Sequence, residues 1–228
     1  MRQLLLELGA AKPQTLDSFV VGCNQELAAL LRLIEAGASR SLDQRFITIW
    51  GEPGAGKSHL LNALASSSKA RLLPASATLS EFSWSPDVGL YLLDDCDLLS
   101  ADLQIAAFAL YNQVREAGGS LIAVTSKPPA QLTLREDLRT RLGWGLIYQL
   151  HGLSDEEKIA ALSLSAAKRG LSLSAGVLPY LLTHYRRDMQ SLSGMLDALD
   201  HYSLETQRPI TMPLLRELMQ RDDTAKLP

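Results

Sequence analysis

Four things are scarce in this chain of 228 residues, and each scarcity narrows what it can be. Cysteine occurs only at Cys23 and Cys96, with no Cys-x-x-Cys pair, so neither a disulfide framework nor a zinc site is suggested. Both lie near apolar runs and are expected to be reduced, mostly buried thiols. The histidines, His59, His151, His184 and His201, form no His-x3-His pair, which argues against a metal site. Long apolar runs are missing: no stretch approaches the roughly 18 residues that span a bilayer. The leucines of Met1–Leu8 are interrupted by Glu7 and fall short of an export signal. A cytoplasmic protein with no membrane partner is expected. Finally, there is no excess of basic charge. The balance is 22 Lys+Arg against 25 Asp+Glu, net −3, and aromatics make up 6%. Strong stand-alone binding to nucleic acid is therefore not expected, and DNA would be reached indirectly.

What is present suits a packed core, with 46% hydrophobic and 21% charged residues. Asn24 reads as the cap of a helix carrying Leu27, Leu30, Leu31 and Ile34 at helical spacing, with Gly37 as its stop. Phe46–Trp50 reads as a buried strand, followed by a glycine-rich turn and a helix from about Lys57. Further strands are expected at Arg71–Leu73, Gly89–Leu93, Leu121–Thr125 and Leu146–Leu150, with a helix from Ala101 to Ala117. Strands alternating with helices imply parallel pairing, and unbroken apolar runs imply burial on both faces.

After Leu150 no strand is expected. Ser154-Asp-Glu-Glu157 forms a capping box for a helix ending at Gly170. Leu178–Tyr185, the stripe Met189, Leu192, Leu196 and Leu199, and Thr211–Gln220 complete an all-helical module.

The motif with the clearest chemistry is Gly51-Glu-Pro-Gly-Ala-Gly-Lys-Ser58, a phosphate loop between a strand and a helix. Its glycines let successive N–H groups face phosphate oxygens, and the helix dipole adds to this. Pro53, Gly54, Ala55, Gly56 and His59 would line the site, Lys57 would reach the outer phosphates, and Ser58 would hold Mg²⁺. Asp94 and Asp95 end the third strand: the first suits Mg²⁺, partly through water, and the second can orient an attacking water.

Together with Thr15-Leu-Asp-Ser-Phe-Val-Val-Gly22 and His59-Leu60-Leu61, these motifs resemble an AAA+ domain of the replication-initiator (DnaA) family. That resemblance implies an α/β AAA+ P-loop domain with a five-stranded parallel sheet, plus a small all-α lid. It places Phe19, Val20, Val21 and Gly22 by an adenine base; Phe19 also reads as a hydrophobic staple before the Asn24 helix. Leu138-Arg-Thr-Arg141 resembles the family's arginine box, which makes Arg141 a finger reaching a neighbour's nucleotide. Arg187, with Arg186 as fallback, matches the start of the second sensor helix. Thr125 or Ser126 matches the first sensor, but Lys127 follows where relatives carry an aspartate. That departure argues for weak or absent ATP hydrolysis by the chain itself.

The segment Gln3-Leu4-Leu5-Leu6-Glu7-Leu8 matches the peptide with which replication proteins dock on the sliding clamp (β subunit). The Gln3 amide would seek polar partners, while Leu6 and Leu8, with Leu4 beside them, would fill a hydrophobic groove. Alternatively these leucines cover the chain's own core. A basic DNA-binding domain is not expected after the lid. The whole therefore resembles the Hda-type regulatory inactivators within the DnaA family. The implied organisation is a clamp-binding peptide (1–12), an AAA+ domain (13–152) and a lid (153–228). The implied ligand is ADP or ATP with Mg²⁺. The implied partners are DnaA and the clamp, with room for a homo-oligomer, at the nucleoid and replisome. Two rivals stand beside this: an autonomous AAA+ ATPase such as a helicase loader, and a pure clamp adaptor.

Overall fold

The computed structural model describes residues 13–38, 41–66 and 69–225. Gln3, Leu4, Leu6 and Leu8 of the expected clamp peptide lie outside the described residues. The chain divides into two units, Pro13–Gly152 and Leu153–Pro228.

In the first unit, five strands pair in parallel: β1 (Phe46–Trp50), β2 (Ala70–Leu73), β3 (Leu90–Leu93), β4 (Ser120–Thr125) and β5 (Leu146–Gln149). Their order across the sheet is β2-β3-β4-β1-β5. The helices are α1 (Gln25–Glu35), α2 (Lys57–Ala65), α3 (Ala101–Glu116) and α4 (Glu136–Leu142). Because side chains alternate along a strand, β1 to β4 each feed two cores. Tyr91 and Leu93 of β3 and Leu121 and Ala123 of β4 pack with α3 and α4. Leu92, Ile122 and Val124 pack on the other face with α1 and α2. Both faces are covered, which is why β1, β3 and β4 read as continuous apolar runs.

Three local expectations are corrected and one helix is added. The last strand is an edge: Ile147 is 46% exposed, and its alternate residues are only half-buried. Cys23 is exposed, whereas Cys96 is fully buried. Asn24 precedes α1 but its side chain caps nothing. Instead its Nδ2 donates to the carbonyls of Val21 (3.0 Å) and His151 (2.9 Å), and its Oδ1 accepts from the His151 N–H (2.9 Å). It thus fastens the start of α1 to the chain leaving β5. Lastly, Glu136–Leu142, to which the sequence reading assigns no element, forms the helix α4. It buries Leu138 and Leu142, one turn apart, against the α3 side of the sheet.

The second unit consists of α5 (Asp155–Lys168), α6 (Val177–His184), α7 (Met189–Thr206) and α8 (Met212–Ala225). Ser154 and Glu157 make the reciprocal capping box at α5, and Asp188 accepts from the Ser191 N–H at the head of α7. Leu162, Leu181, Leu192, Leu196, Leu199 and Leu214 meet in a single apolar core.

Candidate functional site

In a parallel sheet the carboxyl ends of all strands share one edge, and loops leaving that edge converge. Here they are the glycine loop after β1, the acids after β3 and the Thr125-Ser126 pair after β4. The glycine loop is anchored at its root. The Gly51 N–H donates to the Thr125 carbonyl (3.3 Å), and the Leu150 N–H donates to the Trp50 carbonyl (2.7 Å). A Cβ on Gly51 would lie 2.4 Å from the Leu150 carbonyl oxygen, so only glycine fits.

Gly54 and Gly56 take positive φ (79° and 101°), and no side chain caps the first turn of α2. N–H groups of a first turn have no acceptor within the helix and are suited to anionic oxygens. Lys57 Nζ curls over the loop, donating to the carbonyls of Gly51 (2.7 Å) and Glu52 (3.0 Å). The Thr15–Gly22 segment closes one side. His59 Nε2 lies 3.1 Å from the Thr15 carbonyl oxygen and 3.3 Å from Ser18 Oγ, and the Phe19 and His59 rings are 5.7 Å apart. A carbonyl only accepts, so Nε2 carries the proton. Phe19 also packs into the α1–α2 core, and its ring would stand 2.9 Å from a Cβ on Gly56. The staple and loop-flanking readings of Phe19 are therefore compatible.

After β3, the Asp94 N–H donates to the Leu73 carbonyl (3.0 Å), and Asp95 sits in the left-handed region (φ 49°). Partial burial, then the Asp94 and Asp97 carboxylates, push Asp95 above the ordinary carboxylate range, while Lys57 pulls it down. Ser58 hydroxyl and Asp94 carboxylate are hard oxygen donors of the kind Mg²⁺ takes while keeping water and phosphate ligands. Among the described residues no three His, Cys, Asp or Glu are grouped so as to hold a metal ion by themselves. The residues thus fit a phosphate chain with Mg²⁺.

Thr125 and Ser126 part company. Thr125 is fully buried, its Oγ1 donating to the Lys127 carbonyl (2.8 Å). Ser126 is exposed and clasped by Asp97, which accepts from its N–H (3.0 Å) and its Oγ–H (2.7 Å).

Arg141 stands apart from this loop cluster, on α4. The sheet holds that helix in place: Thr48 Oγ1 on β1 donates to the Leu142 carbonyl at 2.6 Å. Arg141 makes no ion pair among the described residues. Nearby Asp137 is already taken by Arg135 (2.9 Å), whose hydrogen bond holds that carboxyl below its usual range. The Arg141 Nε–H is buried without a partner among the described residues. The rest of the side chain borders two surface cavities. One, of about 540 Å³, is lined by Leu42, Asn112, Arg115 and Glu116; the other, of about 720 Å³, includes Phe108 and Thr140.

Comparison with known proteins places this geometry. Residues 155–219 match the family described as the Hda lid domain. A replication initiator DnaA, solved bound to AMPPCP and single-stranded DNA, is 20% identical, with a TM-score of 0.68 over 84% of this chain and 66% of that one. Domain III of Thermotoga maritima DnaA is 18% identical, with a TM-score of 0.71 over 92% and 97%. The chain shares the fold of the DnaA AAA+ domain and carries an Hda-type lid. Thermotoga maritima RuvB shares the fold more distantly, at 14% identity and a TM-score of 0.67 over 93% and 73%. The chain spans about two thirds of the initiator it matches first, 66% of its length.

In the lid, Arg187 is exposed and paired with Asp155 at the head of α5; Arg186 is exposed as well. Three residues were not anticipated. Asp97 is invisible in sequence because Ser126, its partner, lies far along the chain. Trp144 and Arg115 flank Arg141 only once α4 is recognised. The signal for that helix was present: acids Glu136 and Asp137 in its first turn, Leu138 and Leu142 one turn apart, and Gly143 after it.

Proposed function

We propose that the chain is a negative regulator of chromosomal replication initiation. It holds adenine nucleotide (ADP or ATP) with Mg²⁺ through Phe19–Gly22, Pro53–His59, Asp94, Asp95, Ser126 and Arg187. It docks on the DNA-loaded sliding clamp through Gln3, Leu4, Leu6 and Leu8, and presents Arg141 to the ATP held by DnaA. The observation that carries this reading is a guanidinium without a carboxylate partner among the described residues, on a sheet-anchored helix at an open surface.

The chain's own nucleotide would supply the charge that orders the loop edge. Lys57 would leave the Gly51 and Glu52 carbonyls for phosphate oxygens, and the first turn of α2 would donate its free N–H groups. Arg141 would act on the other molecule, where it neutralises charge growing on a transferring phosphoryl group. A finger supplied in trans is worth roughly 10³–10⁵ in rate, or about 4–7 kcal/mol.

The test is hydrolysis of DnaA-bound ATP with clamp loaded on DNA. Arg141→Ala should fall to the unstimulated rate. Arg141→Lys should not restore it, since an ammonium lacks the planar fork. Gln3→Ala should lose stimulation at low concentration and regain it at high concentration, because a tether raises only effective concentration. Full stimulation by a folded Arg141→Ala protein would refute the reading. A pure adaptor, with Arg141 structural, predicts that result.

One observation favours the second reading, an autonomous ATPase. Asp97 brings a carboxylate to Ser126, the first-sensor position, despite Lys127. Turnover by the chain alone, abolished in Asp95→Asn, would support it.

A further inference from the structure

Arg141 is surrounded by rings where a carboxylate would ordinarily stand. Its guanidinium carbon lies 5.4 Å from the centre of the Trp144 ring and 5.7 Å from that of Phe108. Trp144 follows Arg141 by three residues, in the turn that ends α4, and its N–H donates to the Arg141 carbonyl at 3.1 Å. The next residue, Gly145, presses that turn onto β1: a Cβ there would lie 1.9 Å from the Phe46 carbonyl oxygen. The indole is also gripped from α3, where the Arg115 guanidinium carbon lies 4.0 Å from the ring centre. Yet Trp144 is 50% exposed, so burial of its own surface does not account for this placement.

We propose that Trp144 is a positioning residue for Arg141. It is a plate, fixed to β1 through the backbone and steadied by Arg115, against which the guanidinium is held at the surface. The proposal rests on the reading of Arg141 given above. An arginine lacking an ion pair and an Nε acceptor has many rotamers open to it, and a flat π face restrains it without consuming its outer donors. Those donors stay free for an anion.

The test measures hydrolysis of DnaA-bound ATP, with clamp on DNA, against concentration of wild type, Trp144→Ala, Trp144→Phe, Arg141→Ala and the Trp144→Ala/Arg141→Ala double variant. Trp144→Ala should lower the saturating rate about fivefold, which is about 1 kcal/mol, with the half-saturating concentration unchanged. Trp144→Phe, which keeps a π face, should stay within about twofold of wild type. The double variant should be no slower than Arg141→Ala. Trp144→Leu, apolar but without a π face, serves if the alanine variant folds poorly, and should show the same loss. An unchanged saturating rate overturns the proposal, as does a raised half-saturating concentration alone, which would make Trp144 a direct partner contact. Further slowing in the double variant overturns it too, since the indole would then act independently. If Arg141→Ala itself stimulates fully, the function fails rather than the positioning.

Discussion

Asn24 offers a direct measurement of how a buried side chain closes the sheet unit. It is 6% exposed and joins the entrance of α1 to His151, past the end of β5, with three hydrogen bonds. Two of these satisfy both backbone groups of His151, and the third closes the turn at Val21. Removing the side chain forfeits about 1 kcal/mol for each bond and leaves those groups to whatever water reaches an exposed residue. Asn24→Ala should therefore cost roughly 2–3 kcal/mol, or about 6 °C in the unfolding midpoint of a unit this size. Asn24→Ser discriminates the mechanism. Serine is as good a helix cap as asparagine, so a capping role predicts near-neutrality. The tie to His151 needs the longer amide, so its loss predicts a penalty close to that of alanine. Asn24→Asp should be worse still at neutral pH, because a carboxylate oxygen would face two carbonyls where Nδ2 now donates. Urea titration followed by tryptophan fluorescence reports this cleanly, since Trp50, Trp84 and Trp144 all lie in the sheet unit. An Asn24→Ser protein as stable as wild type would refute the reasoning.

Three further outcomes are expected from the same assay. Tyr111 Oη is buried with no hydrogen-bond partner among the described residues, so Tyr111→Phe should raise stability by about 1 kcal/mol at pH 7. Burial pushes the Tyr111 phenol up to about 12, against the pull of Arg141 and Arg115. The unfolded phenol ionises first, at about 10, so wild type should lose stability between those values as pH rises. The phenylalanine variant should lack that loss; equal alkaline slopes would refute it. Gly145→Ala should cost about 3 kcal/mol, because its Cβ would overlap the Phe46 carbonyl on β1. An unchanged urea midpoint would show that the turn has room the geometry denies.

Much of this protein is decided by local pattern. The phosphate loop, the acids after β3 and the Ser154–Glu157 box declare themselves because each depends on residues within a few positions of one another. The central strands are legible for a related reason: a strand covered on both faces must be apolar throughout. Their order is not, since nothing in Phe46–Trp50 says that its neighbours are β4 and β5. The same limit hides the grip of Asp97 on Ser126, the tie from Asn24 to His151, and the Trp144 plate beside Arg141. Each joins segments that approach only after the sheet has assembled, or needs the short helix α4 to turn its residues toward one another. Sequence determined which groups this chain carries and which local structures bear them. Tertiary structure decided which of those groups are restrained and which remain free, because hydrogen bonds and ring contacts depend on distance in space and not along the chain.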